Sequence, residues 1–372
     1  MGVGPPARFV GSEIYRGSSY GPGHPLRIPR VSTVIDLGRA LGWLGPGEYV
    51  TSPRARPAAL AAYHTPGYLA ALQRAEAEGR VDAATTARHG LGTVSNPVFA
   101  EMFRRPATSA GGAILAAGLV AGGGVAHVPG GGTHHALPDR ANGFCYLNDP
   151  VLCLMALRHA GLCRLAYVDI DAHHPDGVEP AFAADPDMLM ISVHEEGRWP
   201  FTGRLEDDAG GRAFNLPVPR GFNDSEMRVV LETLIGPRIE AFAPEAIVLQ
   251  CGADALTEDP MSRLQLSNNA HRGVVAALRR LAPRLIVLGG GGYNPWSVAR
   301  AWTGVWAVLS GREIPDRLPR EAEAVLRRLV WPGARAGKAP PEAWMTTLAD
   351  PPREGPVRAE VRDRLARLAR RT

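Results

Sequence analysis

The stretch Leu165-Ala166-Tyr167-Val168-Asp169-Ile170-Asp171-Ala172-His173-His174-Pro175-Asp176 decides the fold. It opens as a short run of apolar, β-branched and aromatic residues, the pattern of a strand buried on both faces. It then passes directly into a loop dense in carboxylates and imidazoles. The same grammar recurs along the chain. Val125 to Val128 runs into Pro129-Gly130-Gly131-Gly132-Thr133-His134-His135, and Met188 to Val193 into His194-Glu195-Glu196-Gly197-Arg198-Trp199-Pro200-Phe201-Thr202-Gly203. Ala246 to Gln250 ends in Cys251-Gly252-Ala253-Asp254, and Leu285 to Leu288 in Gly289-Gly290-Gly291-Gly292-Tyr293-Asn294. Apolar runs alternating with amphipathic helices predict an α/β fold with a central parallel sheet flanked by helices. Every strand of such a sheet ends on one edge, so the five loops converge on one crevice, the place where open α/β sheets bind ligands.

The helical signals fit this frame. Asp149-Pro150 opens a helix reaching about His159, with proline in its favoured first turn. Asn223-Asp224-Ser225 caps a second, whose apolar residues keep helical spacing from Met227 to Phe242, and Pro237 should kink or break it. Residues 1–120 are less regular. The 372 residues, 45% hydrophobic and 21% charged, can bury a large core, and no linker divides them. The expectation is one domain over 1–372 with an Arg-rich C-terminal extension at about 312–372, whose last helix, near Val357 to Arg371, reads as a solvated one.

Composition narrows the function classes. Lys+Arg 41 against Asp+Glu 37 gives a net charge of +4, and Lys338 is the sole lysine. Gly311 to Thr372 holds 14 basic and 9 acidic residues, so the rest is near neutral and offers no concentrated nucleic-acid-binding patch. The four cysteines form no C-x-x-C pair, which suits reduced thiols in the cytoplasm and leaves any metal to other ligands. The longest apolar run, Ala110 to Ala126, is short for a membrane span and interrupted by six glycines, so it reads as a buried helix entering a strand, and no secretory leader is expected. A homo-oligomer is compatible with all of this.

Metal chemistry is the natural reading of the crevice. Asp171 and His173 sit two apart on one loop, and Asp254 arrives from another strand. Two oxygens and an imidazole with an open position suit a catalytic divalent ion, zinc by default and Fe(II) as the alternative. His134 and His135 can supply the base that deprotonates a metal-bound water and the acid that protonates a leaving group. Asp169 and Asp176 flank the ligands and can each orient an imidazole. Tyr293, after four glycines forming a mobile loop, can donate to an oxyanion, and Phe144, Trp199 and Phe201 can wall an apolar tube.

Five motifs go further when taken together: Gly131-Gly132-Thr133-His134-His135-Ala136, Asn142-Gly143-Phe144-Cys145-Tyr146-Leu147-Asn148-Asp149, Asp169-Ile170-Asp171-Ala172-His173-His174-Pro175-Asp176-Gly177, Gly252-Ala253-Asp254 and Gly289-Gly290-Gly291-Gly292-Tyr293-Asn294. In identity and order they resemble the zinc-dependent histone deacetylase superfamily, particularly its bacterial acetoin-utilization-type members. The resemblance implies an arginase/deacetylase-like domain with its active site at the strand C-terminal edge. Zinc would be held by Asp171, His173 and Asp254, with His135 as general base and then acid, supported by Asp176. His134 would be paired with Asp169, and Tyr293 would polarise the acyl carbonyl. It also implies that the Gly143 carbonyl receives the substrate amide, that Phe144 and Trp199 wall the acyl-lysine tunnel, and that a structural potassium ion uses Asp169, Ser192 and the carbonyls of Asp171, His173 and Val193.

Four positions depart from the family pattern. Pro175 stands where a glycine is usual, and Trp199 where a smaller aromatic is. Ser95 replaces a rim aspartate, and Met261 the acidic gatekeeper of polyamine-selective relatives. The expected activity is metal-dependent removal of an acetyl or similar group from Nε-acyl-lysine in a protein or peptide, or from a related N-acyl amine. A small-molecule N-acetyl amine or polyamine amidohydrolase is the alternative. An arginase-like ureohydrolase would want a second metal and an Asp where Gly252 stands, and a non-catalytic acyl-ligand-binding protein would have lost one of these groups.

Overall fold

The computed structural model describes residues 6–331 and 339–371, and Lys338 lies outside them. Eight strands form the sheet: β1 (Arg8–Gly11), β2 (Tyr49–Thr51), β3 (Gly124–Val128), β4 (Leu165–Asp169), β5 (Met188–Glu195), β6 (Ala213–Val218), β7 (Ala246–Gln250) and β8 (Arg284–Leu288). Their order is β2-β1-β3-β8-β7-β4-β5-β6, and every pairing is parallel. The fold is a single α/β domain of the expected class.

The five strands expected from apolar runs are β3, β4, β5, β7 and β8, which include the whole sheet centre. The three others, β1, β2 and β6, lie toward the two edges. β1 and β2 are four and three residues long, and β6 contains Pro217, which an edge strand tolerates because one side of its ladder needs no donor. Residues in β4 and β7 are buried throughout, and period-2 alternation splits them between two core layers. Ala166, Val168, Ile247 and Leu249 face one layer, while Leu165, Tyr167, Ala246 and Val248 face the other. Register aligns the strand ends: Asp169 lies opposite both Gln250 and Ser192, and Leu288 opposite both Gln250 and Val128. The catalytically capable loops therefore start at one level.

Helix signals resolve as local chemistry predicts. Asn148 caps the helix Asp149–His159, and Asn223 with Glu226 forms a capping box for Asp224–Val230. Ahead of Pro237 the chain widens into a π-turn at Leu231–Ile235 before Gly236–Phe242 resumes α geometry, so the break falls where a backbone donor is missing.

The basic tail departs from expectation. Its helix, Ala359–Ala369, is not a solvated one: Val361, Leu365 and Leu368 are buried in the same core layer as β6 residues Phe214, Leu216 and Val218. Burial of each such side chain stabilises by about 1.5–3 kcal/mol. Arg358 donates to both oxygens of the buried Glu226, at 2.7 and 2.6 Å. Arg238 donates to the Leu368 carbonyl at 2.9 Å, a cation at a helix C-terminus. The tail thus belongs to the domain and covers ground beside the β6 edge. Among the described residues no helix is long and apolar enough to cross a membrane.

Candidate active site

The loop after β3 is held by backbone donors. The Gly132 and Thr133 N–H groups both donate to Asp149, at 2.7 and 2.8 Å, and Gln250 Nε2 donates to the Gly132 carbonyl at 2.8 Å. Gly132 has φ +95°, and a Cβ there would come within 2.5 Å of Gly290 N, so only glycine lets this loop approach the next one. The two histidines that follow lie with ring centroids 4.0 Å apart. Each has its own carboxylate. His134 Nδ1 is 2.8 Å from Asp169 Oδ2, which also accepts the Tyr167 hydroxyl at 2.6 Å. His135 Nδ1 is 2.6 Å from Asp176 Oδ1, while Asp176 Oδ2 accepts from Asn142 at 3.1 Å.

Their electrostatics diverge. Burial disfavours charge on His134, but Asp169 and Asp171 outweigh it and raise its pKa to about 9. Burial, helped by the neighbouring charge of His134, pushes His135 down to about 4. Near neutral pH one imidazole is a cation and the other a free base.

Asp171, His173 and Asp254 converge beside them, their ligand atoms all within 4.8 Å of one another. His173 Nδ1 lies 2.9 Å from Asp254 Oδ2 and 3.2 Å from Asp171 Oδ1. Burial opposes charge on this ring, yet Asp254 and Asp171 raise it to about 10. Two buried carboxylates meeting at one imidazole call for a cation, and the donor set suits zinc. The surroundings are shaped for it. A Cβ on Gly291 would come within 2.0 Å of Asp254 Oδ2, and one on Gly252 within 2.0 Å of Asp171 Oδ2. The four-glycine loop, expected to be mobile, is instead pinned: Gly289 N–H donates to Val128 O at 3.1 Å, and Gly291 N–H to Asp171 Oδ2 at 2.7 Å. Glycine serves close approach here rather than motion.

A groove of about 670 Å³ leads to this cluster, lined by Gly143, Phe144, Trp199, Phe201, Met261 and Tyr293, with Ser95, Arg140 and Arg198 also on its wall. The Trp199 ring stands 4.6 Å from His135 and 6.4 Å from His173. Gly143, at φ +52°, has room for no Cβ, since one would lie 2.2 Å from the Trp199 ring. Tyr293 packs edge-on to Phe144 at 5.9 Å, and burial raises its phenol well above its usual pKa, so it stays protonated. Among the described residues no carboxylate lines the groove.

For the expected potassium site, β4 and β5 bring Asp169 and Ser192 side by side. Both already have protein partners: Asp169 Oδ1 accepts Asp171 N–H at 3.0 Å, and Ser192 Oγ lies 2.8 Å from His194 Nδ1. Val193 continues β5 beside Ser192.

Two further residues carry no signal that strand and loop patterns expose. Asp149, placed in the sequence as a helix start and as the last residue of the Asn142 to Asp149 motif but given no role there, anchors the histidine loop. Asp259 accepts the Tyr293 N–H at 2.6 Å and the Met261 N–H at 2.9 Å. Burial and nearby Asp254 push its pKa up to about 8.

Comparison with known proteins agrees with this fold. The histone deacetylase domain profile matches residues 24–309. The acetoin utilization protein AcuC of Bacillus subtilis is 32% identical over 327 residues, covering 84% of each chain. Histone deacetylase 9 of Arabidopsis thaliana is 36% identical over 82% of this chain and 73% of its own. A crystal structure of an HDAC homologue from Aquifex aeolicus superposes with a TM-score of 0.92 at 35% identity, over 98% of this chain and 100% of that one.

Proposed function

The chain belongs to the histone deacetylase family and is a hydrolase of the deacetylase class, and from that premise we propose that it cleaves the amide of Nε-acetyl-lysine, in a protein or peptide, or of a related N-acyl amine. The observation that carries this reading is the pair of adjacent imidazoles, each on its own carboxylate, beside the Asp171, His173 and Asp254 cluster. These three residues would hold zinc, or Fe(II), which when bound supplies an activated water and a polarised carbonyl.

The protein's own groups do the rest. His135 is neutral and bound at Nδ1 by Asp176, so its Nε2 is the free base: it accepts the water proton and then delivers it to the leaving amine. His134, cationic against Asp169, favours the negative charge that develops at the carbonyl oxygen. The Tyr293 phenol donates to that oxygen as its charge grows, an interaction stronger in the transition state than in the substrate. The Gly143 carbonyl takes the substrate amide N–H, and Phe144 and Trp199 wall the alkyl chain. A potassium ion at Asp169, Ser192 and the Asp171, His173 and Val193 carbonyls completes the proposal, with stabilisation by K⁺ over Na⁺ as its check. The buried free thiols Cys145, Cys153 and Cys251 support a cytoplasmic setting.

At the mouth, Arg198 is neutralised by Glu195, while Arg140 bonds only backbone carbonyls, and with no lining carboxylate this favours acyl-lysine over a polyamine, whose second cation would find no counter-charge there. The test is turnover of acetyl-lysine peptides, free Nε-acetyl-lysine and N-acetylputrescine by zinc-loaded enzyme, beside His135→Ala. Folded, metal-loaded protein that cleaves none of them, or a His135→Ala variant as active as wild type, would overturn the reading.

A further inference from the structure

The arginines of the C-terminal helix grip both ends of the loop that carries Trp199. Arg364 Nη2 reaches both oxygens of Glu196, each at 2.9 Å, while its Nη1 donates to the Pro217 carbonyl at 2.6 Å. Arg367 pairs with Glu206 at 2.5 Å, and Arg371 donates to the Leu205 carbonyl. Arg364 and Arg367, three apart, share one face of the helix, and Arg371 follows just beyond its end. Their partners lie at the start and at the end of the 196–206 loop.

At its far end the loop is also seated in the core, where Leu205 is buried in the same cluster as Leu365 and Leu368 of that helix. A cavity of about 310 Å³ lies between loop and helix, lined by Thr202, Leu205 and Pro217 as well as by the ion-paired residues. Nearer Trp199, the Arg364–Glu196 pair spans this space. Other anchors hold the loop to the body on either side of Trp199: Arg198 donates to the buried Glu195 at 2.9 Å, Thr202 meets His174 at 2.9 Å, and the Gly203 carbonyl meets His194 at 2.8 Å. Glu196, three residues before Trp199, is tied by its side chain to Arg364 and by its N–H to the Val218 carbonyl at 2.9 Å. The inner face of the loop is Trp199 itself, closed over Gly143 and 4.6 Å from His135.

We propose that Arg364 and Arg367 are positioning residues for Trp199, so that the C-terminal helix sets the width of the acyl groove and with it the enzyme's acyl selectivity. The proposal rests on the deacylase reading above. The Arg364–Glu196 contact is the stronger arm, since the Arg364 side chain is 19% exposed against 53% for Arg367. With Nη2 on both Glu196 oxygens and Nη1 on the Pro217 carbonyl, the guanidinium is fixed at two points, and solvent screening keeps the effect moderate.

The test uses the full-length, zinc-loaded enzyme with Arg364→Ala and Arg367→Ala combined, which leaves the buried Leu365 and the Arg358–Glu226 pair intact. KM for an acetyl-lysine peptide should rise roughly three- to fivefold with kcat within about twofold, the size that partly exposed ion pairs support, and the butyryl-to-acetyl rate ratio should rise. In a Trp199→Ala background the same arginine changes should add nothing. The charge swap Arg364→Glu with Glu196→Arg should restore KM. Effects that simply add to those of Trp199→Ala, or a fall in thermal stability with KM and acyl ratio unchanged, would overturn the proposal. Backbone amide exchange over residues 197–203 supplies a readout free of turnover: it should quicken in the double variant while β4 and β7 stay protected, and unchanged exchange would refute the clasp. If the wild-type protein cleaves no acyl-lysine, the deacylase reading fails on its own, and amide exchange alone decides whether the helix holds the loop.

Discussion

Asp259 accepts the backbone N–H of Tyr293 at 2.6 Å, through a carboxylate buried beneath the glycine loop. Its other oxygen accepts the Met261 N–H at 2.9 Å, so one side chain ties the phenol's backbone to the far wall of the groove. Removing it leaves Tyr293 in place chemically but free to shift, and misplacement by an ångström costs transition-state contacts. Asp259→Ala should lower kcat about 10- to 100-fold with a smaller change in KM, and Tyr293→Phe should lower it by roughly 100- to 1,000-fold. Steady-state kinetics on both variants check this. Equal, purely KM-borne losses would contradict it.

The two histidines should respond differently to loss of their carboxylates. Asp176→Asn keeps the size of the partner of His135 but removes the acceptor charge that holds the ring. It should cost about 10²–10⁴ in kcat, close to His135→Ala, because a misoriented base is nearly as poor as none. The double variant should be no worse than either single one. Independent, multiplying losses would show that Asp176 acts elsewhere.

Glycine 291 supports the metal cluster through space it leaves empty. Gly291→Ala would drive a Cβ to within 2.0 Å of Asp254 Oδ2, which must move away from His173. The expected outcome is a folded protein, by circular dichroism, that retains at most a small fraction of the wild-type zinc after dialysis. Wild-type metal content would rule out the tight cradle.

Acid should unfold this protein earlier than its carboxylates alone require. Burial depresses His64 and His127 to about 4 and His194 to about 3, below the 6.5 of an exposed imidazole. His64 shows why: its Nε2 accepts the Asn148 N–H at 2.9 Å, so protonation there would break a buried bond. Between pH 6.5 and 4 the unfolded chain binds more protons than the folded one. Stability is thus fully present above 6.5 and falls as pH drops through that window. A shift of this size is worth on the order of 3 kcal/mol per ring. Thermal midpoints recorded from pH 7.5 to 4.5 should decline steeply below about 6.5, less so for His127→Gln, and a flat profile would exclude this account.

Legibility in the sequence followed burial. Strands β3, β4, β5, β7 and β8 announce themselves because nearly every residue in them faces a core, and their polar followers mark the active edge. β1, β2 and β6 do not, because strands this short, or carrying Pro217, are strands only by virtue of a neighbour to pair with. Asp171, His173, Asp254, His134 and His135 could be grouped from sequence because parallel strands must deliver their ends to one side. Asp149 and Asp259 could not. Each works by accepting backbone N–H groups from a remote loop, and backbone donors leave no trace in residue identity.

The arginine-rich tail shows the same division at larger scale. From sequence alone the protein's fold class, its reactive edge and the kinds of group gathered there were determined, since strand burial and residue chemistry are local properties. Only the tertiary structure decided that the tail's charges meet Glu196, Glu206 and Glu226, that the glycine loop is pinned rather than mobile, and which imidazole is charged. Ion pairs, close approach and pKa values depend on distances between residues far apart in the chain, and those distances exist only once the sheet has closed its register.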